Sequence, residues 1–191
     1  MRLTIPALGL GAIVALAACV DTKSFNGLEM LPPEPAIELS VKTVDGDTFN
    51  LQDQDGRVVL LFFGYTNCPD VCPTTLADWA KTRAELGRRA DRVRFVFVSV
   101  DPERDTPEVA DAYAKKFDSS FIGLSPDSAS LERIRKGFRI SSWREDMPEG
   151  GPYAVAHSAQ SFLVDRNGMV RLIYPFGFTS SELAEDLKRL M

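Results

Sequence analysis

Histidine is nearly absent from this chain: one residue, His157, among 191. Cysteine is scarce as well, with three. An iron–sulfur cluster normally takes four cysteines, so the count alone excludes one. Basic runs are missing. The 22 Lys and Arg are outnumbered by 27 Asp and Glu, and the net charge is −5. No basic stretch is interleaved with aromatics, which argues against nucleic acid as a partner. Internal repeats and low-complexity tracts are also absent. Hydrophobic content of 45% with 26% charged residues is that of an ordinary globular protein.

No apolar run reaches the roughly 20 residues of a confident membrane span. The longest, Leu3–Ala18, follows a positive start at Met1-Arg2 and fits the apolar region of a secretory signal. It ends Leu16-Ala17-Ala18-Cys19, which looks like a bacterial lipobox. The expected organisation is a lipoprotein-type signal peptide over 1–18, a lipidated Cys19 with a tether over 19–35, and one folded domain over 36–191. The domain would lie on the periplasmic side of a bacterial membrane, held through lipid. Removing Cys19 from the count leaves 3 − 1 = 2 cysteines, Cys68 and Cys72. A cross-link over so short a loop is a weak structural staple. A functional pair is the better reading.

What the chain does contain is centred on Val58–Cys72, VVLLFFGYTNCPDVC. An unbroken apolar run this short reads as a buried strand. Helical composition follows from Pro73 to Arg89. The two thiols therefore sit where a central strand hands over to a helix, the edge at which open α/β sheets place their chemistry. Four residues apart on a helical turn, both sulfurs face the same way. They can form a disulfide or bind a soft metal ion, and a helix N-terminus favours thiolate.

Elsewhere the pattern gives a hairpin over Ile37–Leu51 around Asp45-Gly46, and a second buried strand at Val93–Val100. A helix follows, with Thr106 as N-cap and Pro107 at its first position. Val109, Ala112, Tyr113 and Phe117 are its expected inner face. A short strand over Phe121–Leu124 and a helix marked by Leu131, Ile134 and Phe138 come next. Arg139–Ala156 has no periodicity and reads as a long loop ending at His157. A strand pair over Ser161–Tyr174 and a helix opened by Thr179 and Glu182 close the chain. The fold class is α/β: a thioredoxin-like mixed sheet flanked by helices, with an N-terminal hairpin and an inserted loop before His157.

In such a layout the loop before a late strand faces the thiol turn. Two thiolates and one imidazole would form a three-coordinate site suited to Cu(I), and to Cu(II) with one more oxygen ligand. Structural zinc prefers four protein ligands, and no fourth is at hand. A peroxidase on the same fold leaves the second thiol unexplained.

Three segments in order, FFGYTNCPDVCPTTL, VSVDPERDTP and YAVAHSAQSFLVDRNG, resemble the Sco/SenC family of copper-delivery proteins. The resemblance implies a thioredoxin-like fold with copper held by Cys68, Cys72 and His157. It implies a metallochaperone that helps assemble the binuclear copper site of cytochrome c oxidase subunit II, by carrying copper, by reducing that site's cysteines, or both. A copper donor protein and a thioredoxin-like reductant are the further partners it implies. Asp101 matches the acidic loop of the family and is a candidate to tune the metal from outside its ligand set. Two departures are visible: a lipobox where a membrane helix is common, and Ala156 where the neighbour of the histidine is often polar. The alternative function is a thiol–disulfide oxidoreductase acting on partner cysteines, with Cys68 and Cys72 as its redox pair.

Overall fold

The computed structural model describes residues 24–54, 56–146 and 153–191. The leader, Cys19, the start of the tether and the tip of the loop before His157 lie outside them. Val58–Gly64 forms β4, and all seven residues are buried. Val93–Ser99 forms β5, which runs parallel to it from Val58↔Val93 to Gly64↔Ser99. Strands buried on both faces need apolar side chains at every position, which is why these two read as continuous hydrophobic runs. Around them stand β1 (Leu28–Pro35), β6 (Ile122–Leu124), β9 (Ser161–Val164) and β10 (Met169–Tyr174), while the expected N-terminal hairpin is β2 (Ser40–Lys42) paired with β3 (Thr48–Asn50). The sheet order is β1-β10-β9-β4-β5-β6. β4, β5 and β6 are parallel, while β9 is antiparallel to both β4 and β10.

Alternation along β4 sends its two phenylalanines to opposite faces. Phe62 meets Trp79 of α1 (Val71–Leu86), with ring centroids 6.2 Å apart. Phe63 meets Phe138 of α3 (Ser128–Phe138) at 5.1 Å. Helices thus cover both sides, as expected. On the Phe62 side, α2 (Pro107–Lys115) packs Tyr113 on Phe97 at 5.2 Å. Gly123 of β6 is where α2 comes closest, since a Cβ there would stand 2.1 Å from the Ala110 carbonyl oxygen. α4 (Ser180–Leu190) carries the anticipated capping box of Thr179 and Glu182.

Three expectations are corrected. Leu28–Pro35, read as the end of a tether, is a strand. Its prolines at 32, 33 and 35 are tolerated because β1 is an edge strand, where one row of N–H groups has no ladder to join. Its register against β10 shifts between Glu29 and Glu34. The strand is fixed at its start by Asp186 of α4, a fully buried carboxylate. That carboxylate accepts from Asn26 N, Gly27 N and the Tyr174 hydroxyl, each at 2.9 Å. Second, the inner face of α2 is Ala110, Tyr113 and Ala114, while Val109 is exposed. The helix is turned by about one position, and its backbone at Ala110 and Asp111 lies directly against Gly123. Third, the segment read as a loop contains a hairpin. β7 (Ser142–Glu145) pairs with β8 (Ala154–His157), and Ser142 stands opposite His157. Its strand signal was masked because three of the four β7 side chains are exposed, so no apolar alternation appears.

Candidate metal centre

β4 delivers the thiol turn to the end of the sheet. Gly64 closes the strand, and Cys72 enters the first turn of α1 with its side chain fully buried. Cys72 passes directly over Gly64, where a Cβ would stand 2.7 Å from its Sγ and 2.9 Å from the Phe62 ring. A glycine is required here by closeness of approach. Gly64→Ala is expected to displace the Cys72 sulfur and to lower stability by about 1–3 kcal/mol, the usual cost of overpacking. Thermal denaturation of the metal-free protein checks the stability. Reaction of Cys72 with a thiol reagent, unlocked relative to the unaltered chain, checks the displacement.

The two cysteines are free thiols in different surroundings. Cys68 is half-buried, and its Sγ accepts from the Cys72 backbone N–H at 3.4 Å, at the amino end of α1. Hydrogen bonding from the Cys72 thiol, outweighing burial, pulls the Cys68 thiol down to about 4. Burial pushes the Cys72 thiol up, and the neighbouring Cys68 charge pushes it further. The coupling favours one thiolate over two, with Cys68 the more acidic sulfur and the proton retained at the buried Cys72 side. Alkylation at neutral pH is expected to label Cys68 first. Its rate should stay flat from about pH 6 to 8, because a group with so low a pKa is fully ionised throughout. An ordinary thiol would instead quicken nearly tenfold per pH unit below its pKa. Mass mapping of the labelled peptide at each pH distinguishes the two behaviours.

His157 closes β8, and its Nε2 lies 3.4 Å from Cys72 Sγ. Its Nδ1 lies 3.0 Å from the Ser158 carbonyl oxygen. A carbonyl only accepts, so the ring proton belongs on Nδ1, and the Nε2 lone pair is left facing the sulfurs. Phe62 and Tyr65 meet the imidazole edge-on, with centroids at 6.0 and 5.7 Å. Cys68 Sγ, Cys72 Sγ and a His157 nitrogen all lie within 4.8 Å of one another. The donor set is two soft sulfurs and one imidazole on the rim of an apolar core. Such a set suits Cu(I) by softness, and the arrangement leaves the partly exposed Cys68 side open to an incoming group.

Asp101 is buried, but its oxygens are engaged away from the sulfurs. Oδ2 accepts from Arg104 Nε at 2.5 Å, and Oδ1 accepts from the Tyr153 hydroxyl at 2.7 Å. The aspartate that touches the thiol turn is one the sequence reading did not single out. Asp105, fully buried, accepts from Thr66 N at 2.9 Å, from Thr66 Oγ1 at 2.6 Å and from Ser99 Oγ at 2.6 Å. It ties the turn before Cys68 to the end of β5. A buried acid needs such donors. The Thr and Ser that supply them come from elements 39 and 6 residues away, so no local pattern marks them.

A family model described as SCO1/SenC matches residues 37–191. The solution structure of apo Sco1 from Thermus thermophilus is 36% identical, with a TM-score of 0.80 over 90% of this chain and 100% of that one. Bradyrhizobium japonicum ScoI, solved with copper bound, is 34% identical, with a TM-score of 0.75 over 82% of this chain and 99% of that one. A SCO1/SenC family lipoprotein from Bacillus anthracis is 30% identical, with a TM-score of 0.69 over 83% of this chain and 97% of that one.

Proposed function

The chain belongs to the SCO1/SenC family, and from that premise we propose that it is a copper metallochaperone in which Cys68, Cys72 and His157 hold a single copper ion. The observation that carries this reading is the convergence of two sulfurs and one imidazole nitrogen within 4.8 Å. The copper is cargo. It is received from a donor protein and passed to the binuclear copper site of cytochrome c oxidase subunit II. Ligand exchange would start on the side of Cys68, which is half-buried where Cys72 is fully enclosed. The copper-bound relative from Bradyrhizobium japonicum supports the choice of metal.

We further propose that Cys19 is lipidated and holds the domain at the periplasmic side of a bacterial membrane. The lipobox-like leader and the lipoprotein relative from Bacillus anthracis support this. Among the described residues no helix is long and apolar enough to cross a membrane.

A second reading has its own observation. An acidic, accessible Cys68 beside a protonated, buried Cys72 is also the arrangement of an attacking and a resolving thiol. In that reading the Cys68 thiolate attacks a partner disulfide and Cys72, losing its proton, resolves the mixed disulfide; the pair gives up two electrons and one proton, and the partner's two sulfurs leave as one thiol and one thiolate. The two are separated by mixing the Cu(I)-loaded, reduced domain with the copper-free soluble domain of subunit II, its cysteines already reduced. Transfer of copper without oxidation of Cys68 and Cys72 supports the carrier. Copper that stays with the domain contradicts it.

A further inference from the structure

We propose that Arg104 is a positioning residue that sets where His157 stands relative to the two sulfurs. The proposal rests on the three-ligand site above. Among the described residues, the hairpin that ends in His157 is a separate two-stranded sheet and shares no ladder with the six-stranded one. Side chains that reach it from the rest of the fold therefore help to place it, as does its own buried Val155, and Arg104 is one of them, beside Tyr65 and Phe62. Arg104 lies in the turn after β5, where its own N–H and that of Asp105 both bond the Asp101 carbonyl. Its guanidinium does three things at once. Nε donates to Asp101 Oδ2 at 2.5 Å. Nη1 donates to the Tyr153 carbonyl oxygen at 2.8 Å, on the residue that leads into β8. Its plane lies over the Tyr153 ring, with Cζ 3.6 Å from the centroid.

The other side of the guanidinium leads to the metal centre. Cζ is 5.7 Å from the centroid of the Tyr65 ring, and that ring stands edge-on to the His157 imidazole at 5.7 Å. Tyr65 also meets the Val155 main chain. Asp101 in turn takes the Tyr153 hydroxyl, so the carboxylate and the guanidinium grip the same tyrosine from opposite ends. Arg104 is mostly buried, with 19% of its side chain exposed, so these contacts are little diluted by water. A lysine would keep the charge against Asp101. It has no planar fork, and cannot stack on Tyr153 while donating to its carbonyl. Arg104 thus couples the acidic turn, read from sequence as a tuner of the metal, to the hairpin that presents the third ligand.

The test uses the fact that His157 is the sole histidine, so its ring gives one set of imidazole NMR signals. In metal-free, reduced protein those signals should show cross-relaxation to the Tyr65 and Phe62 rings. Arg104→Lys and Arg104→Ala are expected to lose these contacts and to narrow the lines. Disulfide formation between Cys68 and Cys72 should stay unchanged in both. Cu(I) affinity should fall about 10- to 100-fold, the usual effect of removing a group that orients a ligand. Should Arg104→Ala fail to fold, Arg104→Lys alone decides. Retention of the ring contacts in Arg104→Lys overturns the proposal. So does lost affinity with the ring contacts intact. Ring contacts that vanish while copper never binds even the unaltered chain would overturn the copper reading, and leave the role of Arg104 in placing His157 standing.

Discussion

His157→Ala is expected to lower the Cu(I) affinity of the reduced domain by at least about 100-fold. Groups that merely orient a ligand are worth about 10- to 100-fold, and the ligand itself should be worth more. The substitution deletes the only imidazole in the chain, and its Nε2 stands 3.4 Å from the Cys72 sulfur. Two thiolates would remain, and a two-coordinate Cu(I) ion is more easily taken by a competing chelator. The fold should survive. The ring is only partly buried at the end of β8, and its removal leaves the Phe62–Trp79 contact at 6.2 Å in place. Disulfide formation between Cys68 and Cys72 has no need of the ring and should proceed as before. Competition against a Cu(I) chelator, run beside a thiol count after oxidation, measures both. Equal affinity with and without the imidazole would count against the carrier.

Oxidising the thiol pair is expected to abolish tight copper binding outright. Copper is held by thiolates, and a Cys68–Cys72 disulfide offers none. A single imidazole would be left, too weak a site to hold the ion alone. The disulfide is the expected off state, and its reduction the step that must precede loading. The structure is arranged for this. Cys68 is the more acidic and the less buried of the two, so it is the sulfur that an oxidant or a mixed disulfide reaches first. Cys72 is enclosed next to it and closes the pair. Titration of copper into fully oxidised domain should give no stoichiometric binding, and added reductant should restore about one copper per chain. Tight binding to the oxidised form would refute the coupling.

Much of the scaffold was legible because its signals are local. The run Val58–Phe63 needs both faces covered, and it is the buried centre of the sheet. Thr106 caps α2, its hydroxyl accepting from Val109 N at 3.4 Å, and Thr179 and Glu182 form their capping box. The Cys-x-x-x-Cys spacing, directly after a buried strand, is enough to place both sulfurs at the sheet end. His157 was a different matter. Its link to the thiols spans 85 residues, and composition alone gives a lone histidine no partner. The thioredoxin-like layout set the loop before a late strand opposite the thiol turn, the resemblance to copper-delivery proteins named His157 as a ligand, and the geometry brings it to the sulfurs.

What escaped the sequence is non-local in each case. β1 hides behind three prolines that an edge strand alone can carry. β7 and β8 read as loop because their pairing leaves most β7 side chains in water. Asp101 was marked by its match to the family's acidic loop, and its place in the molecule is fixed by Arg104 and Tyr153. Nothing local pointed to Tyr153, because it lies 52 residues further on.

X-ray absorption at the copper edge, on the reduced domain loaded with one equivalent of Cu(I), reads the ligand set directly. Two sulfurs and one nitrogen around each copper are the expected result, with the nitrogen lost in His157→Ala. A shell of sulfur alone in the unaltered protein, unchanged by that substitution, would contradict the account at its centre.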